Sequence, residues 1–106
     1  MPTTRVLYRR RFLNRPRHHL GAHVIAEVEI QRESTSRPYV SADLHVSDCS
    51  RHITLDFGAE TRAEATNALR KVAILRAVLA DLEVALVAAV EEAGLRQPSR
   101  RDIPPV

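Results

Sequence analysis

One long helical segment constrains this chain more than any other part of it. Residues 60–94 read ETRAEATNALRKVAILRAVLADLEVALVAAVEEAG, without proline and without glycine before Gly94. Thr61 and Glu64 have the spacing of a capping box, so we expect the helix to begin at Arg62. Gly94 suits the left-handed residue that follows a helix. The prediction is one helix of about 32 residues, roughly 48 Å long.

Two apolar surfaces run along this helix. The first, which we call the leucine seam, has alternating spacings of four and three, typical of a coiled coil and equally of a helix lying on a sheet. Its residues are Ala68, Val72, Leu75, Leu79, Leu82, Leu86, Ala89 and Ala93. The second, the Ala/Val surface, is expected to contact a second copy, because so short a chain cannot cover both. We assign this oligomer interface to Ala77, Ala80, Val84, Val87, Ala88 and Val90.

The N-terminus and the cysteine content favour a cytoplasmic protein. Residues 72–90 have the length of a membrane span, but three charged side chains within them would each cost about 3 kcal/mol at the bilayer centre. No membrane partner is therefore expected. Residues 1–21 lack the apolar run of a signal peptide. The single Cys49 excludes an internal disulfide and a multi-cysteine zinc site, and we expect it to be a small, partly buried residue.

Alternation of apolar and polar residues predicts strands ahead of the helix. Residues 22–31, 39–47 and 52–57 each alternate with period two. Residues 5–13 alternate more weakly, so they form either an edge strand or an arm that orders on a partner. The predicted fold class is α+β, a three-stranded or four-stranded antiparallel meander packed on one long C-terminal helix in a two-layer unit.

Charge is distributed unevenly along three predicted parts: a basic arm over 1–21, a single α+β domain over 22–93 and a basic, proline-rich tail over 94–106. The sequence pI of 9.7 would ordinarily suggest nucleic acid. Here the basic charge belongs to the tails, and the domain carries more acidic than basic residues. The basic arm has no acidic residue, and its arginines are Arg5, Arg9, Arg10, Arg11, Arg15 and Arg17.

The polar face of the predicted sheet holds an acidic row. If residues 48–51 form the turn, Asp43 lies opposite Asp56, and a first loop centred near Thr35 brings Glu27 opposite Asp43. Like charges across strands destabilise a sheet. The row would therefore be stabilised by a metal ion, by arginines from the arm, or by solvent. We favour no metal site, because no short ligand-spacing signature accompanies the flanking histidines.

Nothing in the sequence resembles a catalytic centre. Cys49 and Ser50 near His52 would lie on a turn of a small open sheet, without pocket walls or an oxyanion hole. The three glycines do not form a phosphate-binding loop. We therefore expect neither an enzyme nor a cofactor.

The run SDCSRHITLDF, followed by ETRAEATNALRKVAILRAVL, resembles small uncharacterised proteins of actinobacterial phages. The resemblance covers roughly residues 47–82 and implies no activity, although it suggests a phage accessory or assembly protein, in the host cytoplasm or the virion. The sequence as a whole predicts a homo-oligomeric assembly module whose basic arm docks on an acidic protein surface. The alternative is a DNA- or RNA-binding protein of little sequence specificity, in which Tyr8 and Phe12 stack on bases.

Overall fold

The computed structural model describes residues 3–15, 21–32, 37–48 and 50–95. Four strands precede one helix: β1 (Thr3–Phe12), β2 (His23–Gln31), β3 (Tyr39–Asp48), β4 (Arg51–Asp56) and α1 (Arg62–Glu92). The strands form one antiparallel sheet in the order β1-β2-β3-β4. The α+β fold class is thus confirmed, and of the two predicted strand numbers the sheet has four. The chain divides after Lys71 into two compact units.

The sheet has one apolar and one polar face, because residues directly opposite each other across antiparallel strands share a face. Val24 lies opposite Val46, and Leu44 lies opposite both Ala26 and Leu55. The apolar side chains of β2 and β3 are half-buried. Within the described residues of the single chain only Ala22 is fully buried, with 2% of its surface exposed.

Most of the predicted basic arm forms β1, which is an edge strand of the sheet. Its register against β2 shifts between Arg5 and Leu7, so Val6 is the extra residue of a β-bulge. The bulge moves Arg5 onto the same face as Tyr8, although the two residues are three positions apart. Weak alternation in the sequence therefore reflects an interrupted strand.

The predicted capping box forms at the start of α1. The Glu64 amide donates to Thr61 Oγ1 at 3.1 Å, and the Thr61 amide donates to Glu64 Oε1 at 3.2 Å. The Glu60 amide donates to the same Glu64 oxygen at 2.8 Å. The carboxylate thus satisfies two amides ahead of the helix, and α1 begins at Arg62 as expected.

The end of α1 is a Schellman motif. Gly94 has φ of 76°, the Leu95 amide donates to the Val90 carbonyl at 3.0 Å and the Gly94 amide donates to the Glu91 carbonyl at 3.1 Å. Regular helix ends at Glu92, one residue earlier than the sequence indicated. Among the described residues, no helix has both the length and the hydropathy needed to cross a membrane.

Candidate functional site

The leucine seam lies on the surface of α1. No residue of the helix is buried, and Leu79, Leu82 and Leu86 expose 61%, 56% and 57% of their surfaces. Ala68 and Leu75, which belong to the same seam, are half-buried. Large apolar side chains in the C-terminal half of the seam are thus more than half exposed in the single chain.

The predicted oligomer interface is likewise accessible. Val84 exposes 71% of its surface and Val87 49%, and only Val90 of this set is half-buried. The three alanines, Ala77, Ala80 and Ala88, are also exposed. Large apolar groups thus face outward on two sides of one helix, whereas a surface helix normally directs one apolar face into a core.

The acidic row on the polar face of the sheet follows the predicted register. Glu27 pairs with Asp43, and Asp43 pairs with Asp56. Asp56 Oδ1 accepts a hydrogen bond from the Gly58 amide at 2.7 Å, which occupies one end of the row. Asp43, in the middle, has no hydrogen bond or ion pair within the described part of the chain.

Among the described residues, His45 contacts the row. His45 Nε2 lies 3.3 Å from Glu27 Oε2, and His45 Nδ1 lies 2.9 Å from the Thr54 hydroxyl. That hydroxyl also lies 3.3 Å from His52 Nε2, and the two imidazole rings stack with centroids 6.1 Å apart. On the same face of β2, two residues from Glu27, Glu29 Oε2 lies 4.0 Å from Arg5 Nε. Thr54 lies opposite His45, as the turn over residues 48–51 predicts, and its hydroxyl links the two histidines.

One cluster in this face has ligand types that suit a divalent cation. Single ligand atoms of Glu27, Asp43 and His45 all lie within 4.8 Å of one another. All three side chains are half-buried, and carboxylate with imidazole is a donor set that zinc and similar metals accept. The 3.3 Å contact between Glu27 and His45 also pairs these two groups without a metal. The geometry therefore fits the cluster both with and without a bound cation.

Strand β1 presents arginine and aromatic side chains together. The Arg5 guanidinium carbon lies 5.2 Å from the Tyr8 ring centroid, and that of Arg10 lies 5.0 Å from the Phe12 ring centroid. Both distances are within the range of cation–π contacts. Arg9 and Arg11 occupy the opposite face, where they pair with Ala26 and Val24 across β2. A charged edge of this kind disfavours uncontrolled pairing with other sheets.

Several predicted features lie outside the described residues. These are Cys49, Arg17 of the basic arm and the tail beyond residue 95. Arg15 is exposed and engaged in an interaction within the structure.

An open groove lies where β4 passes into the start of α1. Asp56, Phe57 and Gly58 form one wall, and Glu64, Asn67 and Lys71 form the other. Lys71 Nζ donates to the Asp56 carbonyl and lies 5.0 Å from the Phe57 ring centroid. Lys71 thus ties the first turns of α1 to the end of β4.

Comparison with known proteins adds no relative to this description. The chain matches no protein-family model, no curated protein and no solved structure.

Proposed function

We propose that this chain is a non-enzymatic assembly module that self-associates through α1 and docks on an acidic protein surface through β1. The observation that carries the proposal is a 31-residue helix without a buried residue whose large apolar side chains are exposed on two sides. Burying apolar surface contributes about 25 cal/mol per Å². A second copy offers the same apolar surface and is always present at matching concentration, which favours homo-oligomers.

The docking role of β1 rests on its charge and its place in the sheet. Arg5, Arg9, Arg10 and Arg11 are all exposed on an edge strand. An acidic partner surface would complement this charge and steer the encounter. The resemblance around residues 47–82 suggests that such a module belongs to phage accessory or assembly proteins.

Nucleic acid is the second candidate partner of β1. Tyr8 and Phe12 expose 47% and 55% of their surfaces beside arginines on the same face. Exposed aromatic rings can stack on bases while arginines contact phosphates, without reading sequence. The acidic row lies on the same face and repels phosphates and an acidic protein alike, so the partner of β1 is decided by the binding test below.

Sedimentation velocity on the full chain tests self-association. We expect the wild type to be oligomeric, Leu79→Asp to weaken association through the leucine seam, and Val87→Asp to weaken association through the Ala/Val surface. Asn67→Asp is the matched control, since it adds the same charge at an exposed polar position of α1 and should leave the assembly intact. A wild type that stays monomeric up to high concentration contradicts the proposal.

A gel-shift titration with nonspecific DNA and RNA tests the second candidate. Binding at low salt that falls steeply with added salt and weakens in Tyr8→Ala/Phe12→Ala would identify nucleic acid as the partner of β1. Absence of binding at low salt excludes it.

A further inference from the structure

The leucine seam has a symmetry that points to the geometry of self-association. Resting on the proposed function, we propose that the seam pairs with the same seam of a second copy in antiparallel orientation. The two-fold axis passes between Ala80 and Asp81. The occupant of the exposed seam is thus another α1, and the charges beside the seam set its direction.

Side-chain size along the seam matches this axis. An axis between residues 80 and 81 brings Leu79 against Leu82 of the second copy, and Leu75 against Leu86. Val72 then meets Ala89, so the bulky layers lie at the centre and the smaller ones outside. Leu79, Leu82 and Leu86 are more than half exposed in the single chain and supply the surface that pairing would bury. Side chains in such layers pack as knobs into holes between the two helices.

Charge complementarity then selects the antiparallel direction. Arg76 follows Leu75 and Glu83 follows Leu82, so both lie on the same flank of the seam. In an antiparallel pair each flank faces its own counterpart, which brings Arg76 opposite Glu83 of the second copy and forms the pair twice. Both side chains are exposed, and neither has an ion pair or hydrogen bond within the described residues. They are therefore available for contacts between helices, where flanking charges set orientation.

The parallel alternative has no such complement. In a parallel pair the two different flanks face each other, so Arg76 would lie beside Lys71 of the second copy, and Glu83 beside Val78. The first contact is repulsive and the second leaves a carboxylate against an apolar side chain. Lys71 is in addition already engaged with the Asp56 carbonyl and the Phe57 ring.

Charge reversal in the full chain tests whether the two helices are antiparallel, because the change in the dimerisation constant has opposite signs in the two orientations. Arg76→Glu should weaken dimerisation roughly tenfold in an antiparallel pair, because two attractive contacts become repulsive. Glu83→Arg should weaken it similarly, and the double variant Arg76→Glu/Glu83→Arg should restore wild-type association. In a parallel pair Arg76→Glu would instead remove a repulsion. Sedimentation equilibrium at low salt measures these constants, and circular dichroism checks that each variant retains its helix.

A distance measurement provides the second readout. Spin labels on Asn67→Cys, in a Cys49→Ser background, should be at least about 40 Å apart in the antiparallel pair, from the rise of 1.5 Å per residue. A parallel pair would hold them within about 25 Å, the width of two helices. An unchanged or stronger association in Arg76→Glu, or the short distance, overturns the antiparallel pairing while self-association stands. A monomeric wild type removes the proposed function itself.

Discussion

Asp43 lies directly opposite Asp56 on one neighbouring strand and directly opposite Glu27 on the other. Asp56 is held by the Gly58 amide and Glu27 by His45, whereas Asp43 has no such partner within the described residues. Three carboxylates in a row repel one another across the strands. Asp43, in the middle, is therefore repelled from both sides without a compensating contact.

Asp43→Asn should raise the free energy of unfolding by about 0.5 kcal/mol at low salt, because it removes two unfavourable cross-strand pairs. The gain should shrink as salt screens the charges. Urea unfolding at one fixed protein concentration measures it, since association also contributes to stability. Asp48→Asn is the matched control: Asp48 lies opposite Arg51, so its neutralisation should bring no gain.

The same variant distinguishes the two states of the Glu27, Asp43 and His45 cluster. If solvent and His45 alone satisfy the cluster, adding Zn²⁺ should leave the stabilising effect of Asp43→Asn unchanged. Stabilisation of the wild type by Zn²⁺ that is lost in Asp43→Asn would identify a metal site instead.

Thr61→Ala should lower the free energy of unfolding by about 1 kcal/mol, because the Glu64 amide loses its acceptor at 3.1 Å. Thr66→Ala is the control within the same helix. Thr66 is exposed in the helix interior, where alanine is the better helix former, so this change should be neutral or slightly stabilising. Equal losses in both variants, measured by thermal denaturation, would show that the cap contributes nothing.

Gly94→Ala should cost about 1 kcal/mol, because φ of 76° places a side chain in the left-handed region. Gly94→Asn should cost less, since asparagine tolerates this conformation better than alanine does. Thermal denaturation followed by circular dichroism at 222 nm compares the two. A larger loss in the asparagine variant would contradict the assignment of the Schellman motif.

Gly58→Ala should destabilise the junction between β4 and α1. A Cβ at this position would lie 3.1 Å from the Val40 carbonyl oxygen and 3.1 Å from Asp56 Oδ1. The Val40 backbone cannot move away without breaking the two hydrogen bonds that join Val40 and Ala59. Gly21→Ala is the control, since its Cβ would meet no described atom within 4 Å. Equal stability of the two variants in urea would show that the junction adjusts without strain.

Local signals in the sequence were sufficient for α1 and for the pairing of β2, β3 and β4, whereas they left β1 open between an edge strand and an arm. The capping box and Gly94 determined both ends of α1 to within one residue, because caps depend on contacts between neighbours in the chain. Short loops and period-two alternation determined the register that aligns Glu27, Asp43 and Asp56, since a slip of one residue would reverse the faces. The bulge at Val6 carried no such signal, and only the paired sheet revealed it.

What the sequence alone determined is therefore an α+β fold, its strand register and a helix with apolar groups on two sides. What only the tertiary structure decided is where those groups lie. The periodicity of the sequence indicates that one face of a helix is apolar. Whether that face lies in a core or at an interface depends on packing between elements far apart in the chain. In the single chain Leu79, Leu82 and Leu86 are more than half exposed, whereas Leu75 of the same seam is half-buried.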